Sequence, residues 1–546
     1  MFYNIVYFKS PLLVGNLIMG DHQVAAAVPA SVIWVLTTLV AVAWWVILHR
    51  MKQRHYLGPK TWPVLGCILE QAAHFDVLHD WLLHYFKSLL TYSVPMMHIN
   101  NTFTANPANV EWILKTNFDN YPKGKLIQER FEDWVGHGIF NVDGEEWKHQ
   151  RKVATAEFAS SKLRDFSVHV YRSEALKLVQ VLSIAAKNHQ TVDLQDLFMR
   201  LTLDTICKIG FGVNVGSLSP LLQEVPFAKA FDECSRLIIR RYIDTFWKVK
   251  RALNIGAEAQ LRKKIHVLDS FLYNIIETRH ADMDAAKALG QSEVRNDLLS
   301  RFMMKDVACD GEVGDKKTLR DVCINFIIAG RDTTAVTLSW FFSELCKHPE
   351  VVKNILAEVS QVLHSEQEST QNDPKNNLNG NGKDYQGFAQ RLTYQSLTKM
   401  HYLHAALTEA LRLYPAVPLE TKQAQNDDVF PDGMVIKGGN FVSFSPYAMG
   451  RLECLWGADV FEFKPERWLK GGIFQPPSPF KLTAFQAGPR MCIGKDSAYV
   501  QMKMTTILIL QFFNFELAKG QNLNYSMMLI LYMANGMKVN VIQKSP

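Results

Sequence analysis

One short segment of the chain surrounds a single cysteine with the residue types that a metal-bound thiolate needs. The segment contains Phe485, Gly488, Arg490, Cys492 and Gly494. Glycine lets the backbone approach a flat cofactor and direct N–H groups toward a sulfur, and arginine can pair with a carboxylate. A thiolate held in this way can ligate haem iron and favour O–O cleavage, so these neighbours make an inert core cysteine the less favoured interpretation.

The other cysteines show no spacing that suggests a second metal or redox site. The chain has eight cysteines in 546 residues, and none of them forms a C-x-x-C pair. This spacing argues against zinc fingers and dithiol redox centres, and so sparse a use of cysteine is typical of a reducing compartment. We expect any cysteine that takes part in chemistry to act alone.

A second group of polar residues interrupts an apolar stretch at 319–347, which is predicted to be helical. It contains Gly330, Asp332, Thr333 and Thr334, a combination that an ordinary helix rarely places in an apolar run. Glycine beside a hydroxyl lets a helix open locally, because threonine can donate a hydrogen bond to a freed carbonyl. The pattern predicts an opening that makes room for dioxygen and water.

Two further pairs have the spacing of neighbours on a helix. Glu409 and Arg412 lie three positions apart and can form an ion pair on one face. Trp147 and Arg151 lie four positions apart, so an indole N–H and a guanidinium point the same way. Taken alone, the first pair predicts only an ordinary surface ion pair. The second predicts only an amphipathic helix with scattered basic residues.

These elements occur in an order that resembles the cytochrome P450 family, and the resemblance covers the chain from Pro63 onward. The pattern F-x-x-G-x-R-x-C-x-G at 485–494 resembles the haem-binding loop of that family. The resemblance implies a mainly α fold with a minor β-sheet region, haem b as cofactor and Cys492 as the axial ligand of its iron. It also implies a monooxygenase that inserts one atom of O2 into a C–H bond, with electrons from NADPH through a separate reductase.

The resemblance also implies roles for individual residues. Asp332 and Thr333 would be the acid and the alcohol that deliver protons during oxygen activation. Arg467, in the run Pro-Glu-Arg-Trp at 465–468, would complete a structural charge network with Glu409 and Arg412. The residues expected to contact the haem are Trp147, Arg151, Phe485, Gly488, Arg490 and Gly494, with Lys422 as a further residue near a propionate.

The N-terminal part of the chain predicts a membrane anchor. Residues 24–48 carry no charge, and their core at 31–48 would span about 27 Å as a helix, close to the thickness of a bilayer core. Basic residues follow directly between His49 and His55, so the positive-inside rule places the body in the cytosol. The alternative is a cleaved signal peptide, but the stretch is long, has bulky tryptophans and lacks a small-x-small site.

This anchor predicts the organisation of the chain and a single-pass protein of the endoplasmic reticulum membrane. Residues 24–48 form the transmembrane anchor, 49–66 form a basic hinge with proline and glycine, and 67–546 form the haem-thiolate domain. Residues 1–23 stay unassigned.

Within the domain, hydrophobic periodicity predicts mostly helices. The predicted helices are 108–116, 144–158, 193–210, 257–279, 319–347 and 397–413. The predicted extended and loop segments are strands at 93–100 and 435–443, a C-terminal hairpin with Asn535-Gly536 at its turn, and a solvated loop at 371–383.

Charge and motif content limit the partners. Lys plus Arg number 59 against 53 Asp plus Glu, a mild excess, so no nucleic-acid partner is expected. No G-x-G-x-x-G fingerprint for flavin or nicotinamide occurs in the sequence, so the electrons must come from another protein. Basic residues that could face an acidic donor such as NADPH-cytochrome P450 reductase are Lys148, Arg151, Lys152, Lys495 and Lys503.

The substrate expectation comes from a closer resemblance. Segments 140–147, 158–166, 194–212, 241–244, 447–451 and 494–499 are similar to plant fatty-acid ω-hydroxylases that make sporopollenin or cutin precursors. This implies a long-chain fatty acid attacked at its methyl end, in a pocket shaped by residues 131–140, 326–334 and 417–420. The alternatives are another lipophilic substrate, such as an in-chain fatty-acid position or a terpenoid, and a hydroperoxide rearrangement. The intact Asp332–Thr333 pair favours oxygen insertion over rearrangement.

Overall fold

The structure, a computed structural model, describes residues 29–52, 58–97, 99–220, 222–288, 297–303, 316–370 and 384–544. The chain divides into two compact units, residues 1–55 and 56–546. In the first unit, helix α1 (Ala30–Lys52) is apolar and exposed, and its length and composition suit a membrane span. The helix ends beyond the predicted limit at residue 48. Residues 24–28 of the predicted anchor and the predicted loop at 371–383 lie outside the described residues.

The second unit is mainly helical, which confirms the predicted fold class. Its helices are α2 (Ile68–Ala73), α3 (Leu78–Phe86), α4 (Pro107–Glu111), α5 (Lys125–Val135), α6 (Gly144–Phe158), α7 (Ser161–Lys187), α8 (Leu194–Phe211), α9 (Pro226–Ile239), α10 (Trp247–Leu253), α11 (Gly256–Ala288), α12 (Lys316–Ile327), α13 (Thr333–Leu345), α14 (Pro349–Thr370), α15 (Tyr385–Gln390), α16 (Tyr394–Lys399), α17 (His401–Leu413), α18 (Pro446–Met449), α19 (Glu453–Trp456) and α20 (Lys495–Phe512). Residues 298–303 are also helical.

The strands form small sheets. They are β1 (Thr91–Met96), β2 (Ile99–Thr104), β3 (Thr191–Asp193), β4 (Glu420–Gln423), β5 (Asp428–Val429), β6 (Val435–Ile436), β7 (Phe441–Phe444), β8 (Leu469–Lys470), β9 (Ile473–Phe474), β10 (Phe513–Leu517), β11 (Tyr525–Met527), β12 (Leu531–Met533) and β13 (Lys538–Gln543). The largest sheet has the order β1-β2-β7-β4, and only its β2–β7 pairing is parallel. A second sheet has the order β10-β13-β3, and β5-β6, β8-β9 and β11-β12 form two-stranded pairs.

Three predicted helices and both predicted strands are interrupted in the structure. The helix at 108–116 becomes π-helical at Trp112–Thr116, and the helix at 319–347 contains a π-helical turn at Ile328–Asp332. The helix at 397–413 breaks at Met400, which has extended dihedral angles, and Lys503 binds the carbonyl oxygens of Leu397 and Met400 at the break. The strand at 93–100 reverses at Met97, which has φ 55°, and contributes to both β1 and β2. The strand at 435–443 is interrupted between β6 and β7 by a turn containing Gly439, with φ 83°.

The predicted C-terminal hairpin is wrong. The turn at Asn535-Gly536 is present, but the strands on either side of it do not pair with each other. Strand β12 pairs with β11, whereas β13 pairs with β10 and β3. Gly536 lies against Asp193, whose Oδ1 accepts a hydrogen bond from the Met537 amide, so the turn transfers the chain from one sheet to another.

The long helical stretch that carries Gly330 runs through the core. It consists of α12, one π-helical turn (Ile328–Asp332) and α13, and it packs against α8, α17 and α20. Gly330 allows α8 to come close, because a Cβ there would lie 2.6 Å from Cδ1 of Ile206. The fold therefore buries Asp332 and leaves Thr333 half-buried at the start of α13, the helix that packs against the one following Cys492.

Candidate functional site

The cysteine loop is held by backbone contacts on both sides of the thiol. Cys492 follows a 3-10 turn (Gly488–Arg490) and precedes α20, and its amide donates to the Phe485 carbonyl oxygen at 2.9 Å. Gly488 has φ +64°, and a Cβ there would lie 1.9 Å from the carbonyl oxygen of Leu114. Only glycine fits this position, because it has no Cβ and tolerates the left-handed region. The first glycine of the loop is therefore needed for packing.

The surroundings of the Cys492 sulfur suit a thiolate that is bound to a metal. Burial raises the pKa of the thiol, while the Gly494 amide and the charges of Arg151 and Lys495 act in the opposite direction. The residue is nevertheless accessible on one side. Since a coordinating metal deprotonates a thiol outright, the amide and the two cations are the groups that stabilise the bound form.

Arg490 lies between an aromatic ring and a carboxylate. Its guanidinium is 4.5 Å from the centroid of the Trp147 ring, and its Nη2 donates to Asp143 Oδ1 at 2.7 Å. Arg151, on the same helix α6 as Trp147, is close enough for its charge to act on both Arg490 and Cys492. The structure thus brings the three predicted haem-contacting side chains together on one side of the cysteine loop.

Two lysines add an excess of positive charge beside Arg490. Burial, and then the charge of Lys123, lower the pKa of Lys422 to about 7, and burial also lowers the pKa of Lys123. The acidic groups near these lysines are Asp143 and Glu420. Among the described residues, no carboxylate lies within 4.0 Å of either ammonium group.

This set of cations fits the two propionates of haem b. The protein's own carboxylates near these cations are too few to neutralise them. The propionates would therefore be bound by Arg490, Lys422, Lys123 and Arg151. Lys123 was missed from the sequence, because it lies in an ordinary Pro-Lys-Gly turn, and one basic residue in a turn is too common to indicate a binding site. Its position is decided by Asp143, whose oxygens accept hydrogen bonds from the amides of Lys123 and Gly124.

The helix opens where its glycine and threonine predict an opening. Residues Ile328–Asp332 form a single π-helical turn, and Thr333 Oγ1 donates to the Ala329 carbonyl oxygen at 2.7 Å. Such turns often mark functional positions in helices, because they free backbone groups from the regular ladder. The Thr333 hydroxyl is accessible, so it can give up this hydrogen bond and bind another group.

Asp332 is buried and shares an arginine with a second carboxylate. Arg331 Nη1 donates to Asp332 Oδ1 at 2.8 Å and to Asp232 Oδ1 at 2.7 Å. Burial raises the pKa of Asp332 to about 7, although the Arg331 charge opposes the shift. Asp232, on α9, was missed from the sequence, because a partner about a hundred positions away leaves no local pattern.

The cysteine loop and the opened helix meet around one phenylalanine. The Phe158 ring lies 6.3 Å from the Phe326 ring, which precedes the π-helical turn. Its Cε1 is also 3.8 Å from the place that a Cβ on Gly494 would occupy. A pocket segment lies near the same helix, since the Phe140 amide donates to Asn325 Oδ1 at 3.1 Å. The predicted pocket segments 131–140 and 326–334 are therefore neighbours.

The acid of the predicted structural network binds both of its arginines. Arg412 forms two hydrogen bonds of 2.8 Å with the Glu409 carboxylate, and Arg467 Nε donates to Glu409 Oε1 at 3.2 Å. Trp468 Nε1 also donates to Glu409, at 3.0 Å. Glu409 and Arg412 are fully buried, so the pair belongs to the core and is not the ordinary surface pair that its spacing alone suggests.

One of the five basic residues expected to face an electron donor is misplaced. Lys503 is buried, its ammonium donates to the Leu397 and Met400 carbonyl oxygens, and burial lowers its pKa to about 8. The prediction that it lies on the donor surface is wrong, because its helix turns that face into the core. Lys148 and Lys152 are exposed, and Lys148 pairs with Glu145 at 2.7 Å.

Comparisons with known proteins agree with this geometry. The sequence model of the cytochrome P450 family matches residues 57–541. Cytochrome P450 704B1 of Arabidopsis thaliana is 47% identical over 92% of this chain and 98% of that protein. Cytochrome P450 704C1 of Pinus taeda is 47% identical over 88% of this chain and 92% of that protein. Cytochrome P450 86B1 of Arabidopsis thaliana is 39% identical over 94% of this chain and 90% of that protein.

Proposed function

Because the chain belongs to the cytochrome P450 family, we propose that this haem-thiolate monooxygenase hydroxylates the terminal methyl carbon of long-chain fatty acids. Membership of the family brings haem b, electrons from NADPH through a separate reductase, and insertion of one oxygen atom into a C–H bond. The observation that carries the choice of substrate is the similarity of six segments, 140–147 among them, to plant fatty-acid ω-hydroxylases. The products would be ω-hydroxy acids for sporopollenin or cutin.

Cys492 is the proposed iron ligand, and its loop is proposed to hold the haem. When bound, haem with a thiolate ligand supplies the activation of dioxygen. The Gly494 amide and the cations near the sulfur stabilise the thiolate, while Gly488 allows the loop to pack closely. Phe485 supports the loop from the side, because its carbonyl oxygen accepts the Cys492 amide. The propionates are assigned to Trp147, Arg151, Arg490, Lys422 and Lys123.

Asp332 and Thr333 are the proposed proton-handling residues. Thr333 Oγ1 holds a proton at the opening of the helix, where it donates to the Ala329 carbonyl oxygen. The Asp332 carboxyl has a pKa raised to about 7 by burial, so it can take up and release a proton near neutral pH. Together they form an acid–alcohol pair of the kind that oxygen insertion requires.

Attack at the methyl end depends on positioning. A terminal C–H bond is stronger than its methylene neighbours, so the pocket must hold the chain end-on, and geometry must outweigh reactivity. We assign this task to residues 131–140, 326–334 and 417–420. The hydrogen bond between the Phe140 amide and Asn325 supports the assignment, since it joins the first segment to the residue that directly precedes the second.

The membrane setting follows from α1. Plant relatives and an N-terminal helix suited to a bilayer indicate a membrane-anchored protein. We propose the endoplasmic reticulum and a single pass, with the body in the cytosol, because His49 and Arg50 lie at the C-terminal end of the helix. A fatty acid partitions into lipid, so this location brings the enzyme to its substrate.

The test is product analysis with microsomes that contain the full chain and its reductase. The preparation should first show the thiolate-type spectrum of the reduced carbon monoxide complex. With NADPH, oxygen and palmitic or oleic acid, we expect a terminal alcohol by mass spectrometry. A spectrally intact enzyme that yields only in-chain alcohols, or no fatty-acid product at all, would contradict the proposed substrate and regiochemistry.

The matched control compares two exposed cysteines. Cys492→Ala should abolish both the spectrum and the product, whereas Cys454→Ala should keep both, because Cys454 is exposed on α19, outside the cysteine loop. Loss of the spectrum in both variants, or in neither, would contradict the assignment of Cys492 as the iron ligand.

A further inference from the structure

A cavity lined by both charged and apolar side chains lies beside the π-helical turn, on the side of α8 and α9. Its volume is about 220 Å³, which is room for several water molecules at about 30 Å³ each. Charged side chains contribute part of its wall, among them Arg200 from α8, Glu224 just before α9 and Lys229 in the first turn of α9. The cavity also touches Asp232 and Arg331, so it reaches the network around Asp332.

Three charged groups lead from this cavity into the core. The Asp232 side chain is 31% exposed, whereas those of Arg331 and Asp332 are 2% and 4% exposed. The same nitrogen of Arg331 binds both carboxylates, at 2.7 and 2.8 Å. Arg331 Nε has no hydrogen-bond partner within the described residues, so the buried guanidinium keeps an unused donor. Asp332 is followed directly by Thr333.

We propose that this cavity is the solvent inlet for the protons that oxygen insertion consumes, with Asp232 and Arg331 as positioning residues that control proton uptake by Asp332. The inference rests on the proposed acid–alcohol role of Asp332 and Thr333. Oxygen insertion converts O2, a C–H bond, two electrons and two protons into an alcohol and water. The electrons come from NADPH through the reductase, and the protons come from solvent.

The balance of charge explains how the network accepts a proton. One guanidinium faces two carboxylates, so the three groups together carry one negative charge when both acids are ionised. Protonation of Asp332 leaves a neutral pair of Arg331 and Asp232, which is the better arrangement in a buried site. Apart from these three, Cys207 from α8 and Tyr532 from β12 face Arg331, and burial keeps both of them neutral.

This arrangement predicts opposite effects of two substitutions on Asp332. In Asp232→Asn, Arg331 pairs with Asp332 alone, so the Asp332 pKa should fall by about one unit. In Arg331→Gln, Asp332 loses its cation, so its pKa should rise by a similar amount. A purely structural role would not move the protonation of Asp332 in two directions.

The first test measures protonation without turnover. Infrared difference spectra of the full-length, substrate-free protein across pH report the protonated buried carboxyl, and its disappearance in Asp332→Asn assigns the band. Glu224→Gln is the matched control, because Glu224 lines the same cavity but does not bind Arg331. In this variant the carboxyl band should titrate with the wild-type midpoint. If the carboxyl band of Asp232→Asn has the same titration midpoint as that of the wild type, the proposal is overturned. If Arg331→Gln does not fold, the result for Asp232→Asn decides by itself.

The second test measures how NADPH oxidation is divided between products. Asp232→Asn, and Ala228→Leu, which fills part of the cavity, should lower kcat several-fold with little change in KM and increase hydrogen peroxide formed per NADPH. If Asp332→Asn leaves product formation unchanged, the proposed role of Asp332 fails, and this inference fails with it. If Asp332→Asn is impaired but Asp232→Asn and Ala228→Leu behave as wild type, only the inlet fails.

Discussion

Two networks of ion pairs in the core differ in their balance of charge. Around Glu409, the guanidinium groups of Arg412 and Arg467 bind one carboxylate, and Asp459 pairs with Arg467 at 2.9 Å. Two carboxylates therefore meet two guanidinium groups, and the exposed Lys464 also pairs with Asp459 at 3.0 Å. Arg412 also donates to three backbone carbonyl oxygens, which ties the segment at 450–462 to α17. Such a network holds the chain in place and has no excess carboxylate that could take up a proton.

The network around Arg331 has the opposite balance. Its single guanidinium serves Asp232 and Asp332, so one carboxylate is in excess. Burial raises the pKa of Asp332 to about 7. The comparison shows that burial by itself does not decide what an ion pair does. The ratio of acids to arginines separates a fixed structural link from a group that can take up a proton.

The largest effect is expected from breaking the balanced network. Glu409→Gln should lower the free energy of unfolding by about 3–5 kcal/mol, because it leaves buried arginines without their carboxylate. Denaturant unfolding followed by the reduced carbon monoxide spectrum measures the loss. Glu466→Gln, an exposed neighbour of Arg467, should cost less than about 1 kcal/mol. Equal losses of unfolding free energy in the two variants would contradict the expected contribution of the buried network to stability.

Removing the titrating acid should affect the reaction more than the fold. Asp332→Asn should lower the rate of product formation by about a hundredfold, because proton transfer by a positioned group contributes at least that much. The reduced carbon monoxide spectrum should stay intact. Thr334→Ser, a neighbouring substitution that keeps the hydroxyl, should retain most of the rate. An intact spectrum with an unchanged rate in Asp332→Asn would argue against a proton-handling role.

The position of the Arg331 network depends on the close packing at Gly330. Gly330→Ala should cost about 1–3 kcal/mol of stability, because the new Cβ would lie 2.6 Å from Cδ1 of Ile206. In the Ile206→Ala background the same substitution should cost less, because the two nearest obstructing atoms, Cδ1 and Cγ1, are gone. A double-mutant cycle on the free energy of unfolding measures this coupling, and additive costs would contradict the proposed clash.

The last prediction concerns the pH dependence of stability, where the effect at each pH unit is small. The folded pKa of Asp332, about 7, is above its ordinary value of 3.8, so the native state binds this proton more tightly than the unfolded state. The stability from this group is complete below about pH 4 and is lost as the pH rises toward 7. Relative to Asp332→Asn, the wild type should lose about 1 kcal/mol per pH unit over this range. If the free energies of unfolding of the two proteins change with pH in the same way, the raised pKa of Asp332 is ruled out.

The sequence was most informative where chemistry is local. The cysteine loop, the Gly330–Thr333 group and the pair Glu409 and Arg412 are short patterns, and their residue types and spacing are visible without a fold. Helix α6 coincides with its prediction, because periodic apolar residues lie on one face over its length. The opening of the long helix could also be predicted, since glycine and threonine act on the turn that contains them.

Sequence reasoning failed where distant segments meet. The Asn535-Gly536 pair is a good turn signal, but it does not say which strands will pair, and β13 joins β10 and β3 instead of β12. Lys503 looks like a surface cation, yet the neighbouring segments bury it and offer it carbonyl oxygens. Register and burial depend on long-range packing, which a local pattern does not contain.

The sequence by itself determined the haem-thiolate chemistry, the mainly helical body and an apolar N-terminal segment, because these depend on residue types and short spacings. Only the tertiary structure decided which charges act together. It placed Lys123 beside Lys422, and Asp232 beside Arg331, across long stretches of chain. The physical reason is that the protonation of a charged group depends on its burial and on nearby ions. Both are properties of the folded protein.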